Sequence, residues 1–132
     1  MANPNIAGSA TTIYGNTTYY TPGGTTAVIL VANAASSNSV AKINQIVAAN
    51  VTSSAATATV SVYAGSSVTT QGSAPAGGTA YPIAYQVTVP PNASVVLVDK
   101  TSGLYLMESQ LISITSSTAS ALTYTTSYEL IS

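Results

Sequence analysis

Five side chains of this sequence are charged near neutral pH. Asp99, Glu108 and Glu129 are the carboxylates, Lys42 and Lys100 the ammonium groups, and there is neither His nor Cys. General acid–base chemistry at neutral pH calls for a His or a tuned carboxylate pair. Asp99 and Glu108 fall in neighbouring turns and are the two carboxylates closest in the chain, yet a glycosidase needs two carboxyl groups held at a fixed separation across a cleft. The simpler reading of Asp99 is a turn cap paired with Lys100 or Lys42. A Ser or Thr nucleophile needs a base within reach, and only a desolvated lysine would serve. Zinc lacks its nitrogen and sulfur ligands here, and three scattered carboxylates do not make a calcium loop. The residues predict no catalytic residue, no cofactor and no metal site, and thus a protein that is not an enzyme.

Composition narrows the partners. Charged residues make up 4% of the 132-residue chain and net charge is −1, whereas ordinary globular domains are about a quarter charged. Two distant lysines cannot neutralise a phosphate backbone, which argues against nucleic acid. The longest apolar run, Ala27 to Ala32, is too short to span a bilayer, and the opening residues have neither the basic region nor the apolar run of a secretory leader. A chain with so little charge resists association weakly. It reads as a protein that works inside an assembly, with a homo-oligomer as one form.

Nine tyrosines stand where Phe and Trp are both absent. Tyr packs one face and hydrogen-bonds from its tip, which suits interfaces. Tyr14, Tyr19 and Tyr20, beside Gly15-Asn16, are the interface candidates; Tyr85, Tyr124 and Tyr128 read as core or half-buried strand residues. Residues 1–10 read as a flexible N-terminal arm ahead of a single domain spanning 11–132. Ordering that backbone costs about 1–2 kcal/mol per residue, and burying its one large apolar residue, Ile6, returns about 1.5–3 kcal/mol. Bound to a neighbour's strand edge, the arm would seat Ile6 in a pocket while Pro4 keeps the entry extended. Asn16, Asn50 and Asn92 each open an Asn-x-Ser/Thr triplet, a match that a Ser/Thr-rich chain produces by chance.

The elements that must position these residues are strands. Period-two alternation recurs, for example Ala58, Val60 and Val62 against Thr57, Thr59, Ser61 and Tyr63. Turn signals return at intervals of about 8–12 residues, which predicts about eight strands in one antiparallel β-sandwich, jelly-roll or Ig-like, and an all-β class. Thr25 to Val31 ends in so continuous an apolar run that a central strand is expected. Gly15-Asn16 marks a hairpin or a bulge. Val40 to Thr52 reads either as a strand with Ile43, Gln45, Val47, Ala49 and Val51 on one face or as a short helical stripe of Ile43, Ile46 and Val47; the strand is preferred. Tyr81 to Val89 places Ile83, Tyr85, Val87 and Val89 on one face, with Pro82 at its start or on an edge. Ser120 to Ile131 turns Leu122, Tyr124, Thr126, Tyr128 and Leu130 to one side. Between Val87 and Ile114 the breaks at Pro90-Pro91, Asp99 to Gly103 and Met107 to Ser109 give strand, turn, strand, turn, short strand, strand. Ala64 to Gly78 is the longest loop, and such loops are commonly functional or disordered.

Several stretches carry a resemblance. The opening Met1-Ala2-Asn3-Pro4-Asn5-Ile6, the closing Ser127-Tyr128-Glu129-Leu130-Ile131-Ser132, the Val-Pro-x-x-Ala turn at Val89 to Ala93 leading to Asp99-Lys100, and the Leu-Tyr-Leu-x-Glu segment at Leu104 to Glu108 resemble small virion structural proteins of tailed phages that infect cyanobacteria. The resemblance covers the C-terminal half best and fades through residues 64–80. It implies a structural role on the particle, foremost a capsid decoration or cement protein bound to the major capsid protein and assembled in the host cytoplasm. A neck or tail component is the second reading and a carbohydrate-binding module the third. The resemblance implies no catalytic residues.

Overall fold

The computed structural model describes residues 12–132. The expected arm over residues 1–10, and with it Pro4 and Ile6, lies outside the described residues.

Among the described residues nine strands form two antiparallel sheets. They are β1 (Ile13–Tyr20), β2 (Val28–Asn33), β3 (Val40–Asn50), β4 (Ala56–Ala64), β5 (Thr79–Val89), β6 (Ser94–Val98), β7 (Leu104–Leu106), β8 (Gln110–Ser116) and β9 (Leu122–Ile131). The helical content among the described residues is one 3-10 turn at Lys100–Ser102. One sheet runs β1-β9-β3-β6, with β7 continuing the β6 position along β3; the other runs β2-β8-β4-β5. The first strand pairs with the last, the second with the last but one, β3 with the broken β6/β7 strand, and β4 with β5. The chain is thus one long hairpin wrapped over itself into two facing sheets. Of the two sandwich types expected, this is the jelly roll.

The core lies between the sheets. Leu30, Ile43, Ile46, Val60, Val89, Leu106, Ile112, Ile114, Leu122 and Tyr124 are its large, fully buried members. Two buried asparagines lock the sheets together. Asn33, at the end of β2, donates to Leu106 O on the other sheet at 3.0 Å and to Ser39 O at 2.8 Å, and accepts from Ser37 Oγ at 2.6 Å. Asn50, at the end of β3, donates to Val89 O on the other sheet at 3.1 Å and to Ser54 O at 2.8 Å, and accepts from the Thr52 N–H at 2.9 Å. A buried carbonyl is costly without a partner, so each amide satisfies groups that the sandwich would otherwise strand.

The structure corrects several expectations. Gly15-Asn16 is neither hairpin nor bulge: β1 runs through it in unbroken register with β9. Val40 to Thr52 does hold a strand, but a bulge at Asn44 and Gln45 changes the face. Ala41 and Ile43 point inward before it, Ile46, Ala48 and Asn50 after it, and Gln45 is exposed. The apparent helical spacing from Ile43 to Ile46 is the signature of that extra residue. Register shifts against β4, with Gln86 at φ 49°, break the face proposed for β5: Ala84 and Val89 are buried, while Ile83 and Tyr85 are exposed.

Val28–Asn33 is an edge strand, not a central one. Its apolar run is buried because the long loop pairs with its outer edge: the Ile29 N–H donates to Ser73 O at 2.9 Å and Ile29 O accepts from the Gly72 N–H at 2.8 Å. Gln71 adds a bridge, donating from Nε2 to Leu30 O at 2.9 Å and to Thr18 Oγ1 at 2.7 Å. Gly72, at φ +85°, lies so close to the Tyr20 ring that a Cβ there would sit 2.7 Å from the hydroxyl. The loop therefore serves as a structural cover, fixed to both β1 and β2.

Candidate interface on the sheet edges

The charged residues are dispersed. Asp99 accepts from the Thr101 N–H at 3.0 Å, the Thr101 hydroxyl at 2.6 Å and the Ser102 hydroxyl at 3.3 Å, capping the 3-10 turn. The Thr101 hydroxyl, foremost among these donors, holds the carboxyl below its ordinary pKa. The expected turn cap is present, with hydroxyls in place of the lysine partner. Glu108 accepts from the Asn38 N–H at 2.7 Å in a different turn. Lys42 stands opposite Glu129 in the β3–β9 register. Among the described residues no three His, Cys, Asp or Glu side chains gather as a metal site, and no pocket opens. No helix there is long and apolar enough to cross a membrane. Asn50 is buried with its amide engaged, so the second Asn-x-Thr triplet is inaccessible in the folded chain.

Exposed large apolar residues gather on the edge strands β1 and β5, while Val51, Val96, Tyr105 and Met107 are exposed singly elsewhere. Of the interface candidates, Tyr14 and Tyr19 are 60% and 70% exposed, and Ile13 joins them at 60%. Tyr20 is half-buried, packing against the core and Gly72 rather than facing solvent. Tyr124 is fully buried; its hydroxyl donates to Thr115 O at 2.8 Å, and desolvation raises its pKa. Tyr128 is half-buried as expected, but Tyr85 is not.

Tyr81, Ile83 and Tyr85 on β5 form a second exposed apolar group that sequence reasoning missed. Pro82 was the available signal, because a proline within a strand marks an edge. β1 lies beside β2 at one flank of the sandwich, and β5 beside β6 at the other. The two exposed groups therefore sit on opposite flanks.

The four edges differ in how they are guarded. Unpaired edge groups invite another strand, and proteins blunt them with covers, prolines, bulges, charges or shortness. The loop covers β2. β5 carries Pro82 and its register shifts. The β6/β7 edge is broken by the 3-10 turn that carries Lys100. β1 has eight residues, Ile13–Tyr20, with no charge, no proline and no bulge. No protein-family model matches the chain, and no curated protein or solved structure matches it.

Proposed function

We propose that this chain is a non-enzymatic structural protein of a tailed-phage virion, a capsid decoration protein that binds the major capsid protein and staples neighbouring subunits of the head lattice. The observation that carries the reading is the pair of exposed apolar groups on opposite flanks, Ile13, Tyr14 and Tyr19 on one and Tyr81, Ile83 and Tyr85 on the other. A staple must hold two neighbours at once, and each group is rich in the aromatic residues that anchor interfaces. The resemblance at Val89 to Ala93 and Leu104 to Glu108 supports a virion setting. The jelly-roll wrapping is shared by viral capsid proteins and by lectins, so it agrees with the reading without singling it out.

The test is quantitative mass spectrometry of purified particles. A decoration protein is expected in copies proportional to the major capsid protein, and Tyr19→Ala with Tyr85→Ala is expected to strip it from heads. Copies sufficient for one ring only would place it at the neck or tail. Absence from particles, together with glycan binding abolished by Tyr85→Ala, would replace the virion reading with a carbohydrate-binding one.

A further inference from the structure

We propose that the open edge of β1 pairs antiparallel with β1 of a second copy about a twofold axis through Asn16, joining the β1-β9-β3-β6 sheets of two molecules into one. This concerns how the chain meets itself and stands whether or not the virion reading holds; where both hold, the staple is the pair of copies, joined through Ile13 and Tyr19 and offering the Tyr81, Ile83 and Tyr85 group of each copy to the lattice.

The polarity of β1 fixes which backbone groups face outward. Thr12 and Ser132 exchange both hydrogen bonds, Thr12 N–H to Ser132 O at 3.3 Å and Ser132 N–H to Thr12 O at 3.0 Å. They form a hydrogen-bonded pair, and such pairs alternate along an antiparallel ladder. Tyr14, Asn16, Thr18 and Tyr20 therefore bond to β9, in register with Leu130, Tyr128, Thr126 and Tyr124. Ile13, Gly15, Thr17 and Tyr19 turn their N–H and C=O groups to the open edge, where no partner is recorded among the described residues.

Symmetry then narrows the register. A twofold axis perpendicular to the sheet leaves each residue on the same face in both copies, so a residue meets only one an even number of positions away. Centred on Asn16, Ile13 pairs with Tyr19 of the other copy and Gly15 with Thr17, for about eight backbone hydrogen bonds across the join. The two exposed large apolar residues of the strand's outer face thereby cover each other twice, as an aromatic–β-branched cross-strand pair. Centred on Thr17 instead, Tyr19 would meet Gly15 and Ile13 would meet Thr21. No charge on β1 opposes self-pairing. The strand is self-complementary in hydrogen-bond polarity and in side chains, which is what commits the edge to a second copy.

The experiment is sedimentation of the full chain in the high-micromolar range, with four variants. A dimer is expected. Thr17→Pro removes an outward N–H while leaving the β9 ladder intact, and Tyr19→Lys puts a charge on the edge; each is expected to weaken association at least about tenfold. Across the axis, paired Asn16 Cα atoms would stand about 4.5 Å apart, within disulfide reach, whereas Thr17 pairs would lie beyond the roughly 7 Å limit. In a chain without native cysteine, Asn16→Cys should therefore oxidise to a covalent dimer and Thr17→Cys should not. A monomer throughout overturns the proposal, and slow β1 amide exchange in that monomer would assign the edge to residues 1–11 of the same chain. A dimer indifferent to both Thr17→Pro and Tyr19→Lys, or cross-linked equally well through Thr17→Cys, also overturns it.

Discussion

The side-chain amide of Asn50 donates to the backbone carbonyl of Val89 at 3.1 Å, joining the last residue of β3 to the last residue of β5 in the facing sheet. Asn50→Ala leaves the Val89 and Ser54 carbonyls and the Thr52 N–H seeking new partners. The expected loss is roughly 2–3 kcal/mol, from about 1 kcal/mol per bond plus the penalty for stranded buried groups. Urea denaturation measures it, and Asn16→Ala on the exposed strand, expected within about 0.5 kcal/mol of the parent, is the control. An equal effect of the two would remove Asn50 as a clamp.

Ile112→Asp is expected to abolish folding. Ile112 is fully buried, and an unpaired buried charge costs several kcal/mol of a total stability near 5–15 kcal/mol. Val87→Asp should be milder, because Val87 is half-buried, and Thr88→Asp milder still. Soluble expression and circular dichroism melts rank the three; a cooperative melt of Ile112→Asp at the parental temperature would contradict this core.

Gly72→Ala meets two obstacles, a positive φ and the Tyr20 ring. The backbone strain alone costs about 1–2 kcal/mol, and the ring contact adds to it. In a Tyr20→Leu background the second part should disappear while the first remains. A double-mutant cycle isolates that coupling, and additive effects would mean that Tyr20 and Gly72 do not meet in solution.

Tyr124 predicts a limb of alkaline instability. Its folded pKa is raised above the ordinary value of 10.0. Below that value both folded and unfolded chains keep the proton and stability is unaffected. As pH rises past the unfolded pKa, the unfolded chain ionises and the folded chain resists, so stability falls until the folded pKa is passed. Tyr124→Phe should flatten this limb at the cost of the hydrogen bond to Thr115, about 1 kcal/mol at neutral pH. Asp99 acts in the opposite sense: its folded pKa is lowered, so its contribution is present above the unfolded value and fades as pH drops through the folded one. Denaturation midpoints against pH read both.

Local chemistry made the strands legible and left their pairing hidden. The alternation of Ala58, Val60 and Val62 and the breaks at Pro90-Pro91 and Asp99 to Gly103 are written in adjacent residues, and each falls where the structure has it. The jelly-roll wrapping depends on partners as far apart as Thr12 and Ser132, which no short window contains. Bulges defeated the face assignments, since one extra residue at Asn44 reverses the parity of everything after it. Val28–Asn33 looked central because burial by a loop and burial by a neighbouring strand leave the same apolar run. The exposure of Tyr14 and Tyr19 was legible from residue type and setting, whereas Tyr20 differs from Tyr19 only in the face it occupies.

The first-with-last pairing has a kinetic consequence. β1 can find no place in its sheet until β9 has been synthesised and has itself docked on β3, because β9 lies between them. Closing so large a loop delays the rewarding contacts and puts such topologies in the slow, millisecond-to-second regime. During translation the segment IYGNTTYY would wait at the ribosome surface with its tyrosines uncovered until β9 has emerged. Stop-flow refolding should accordingly find β1 among the last segments to gain amide protection, and two nascent chains on one message would meet through that segment before either is complete.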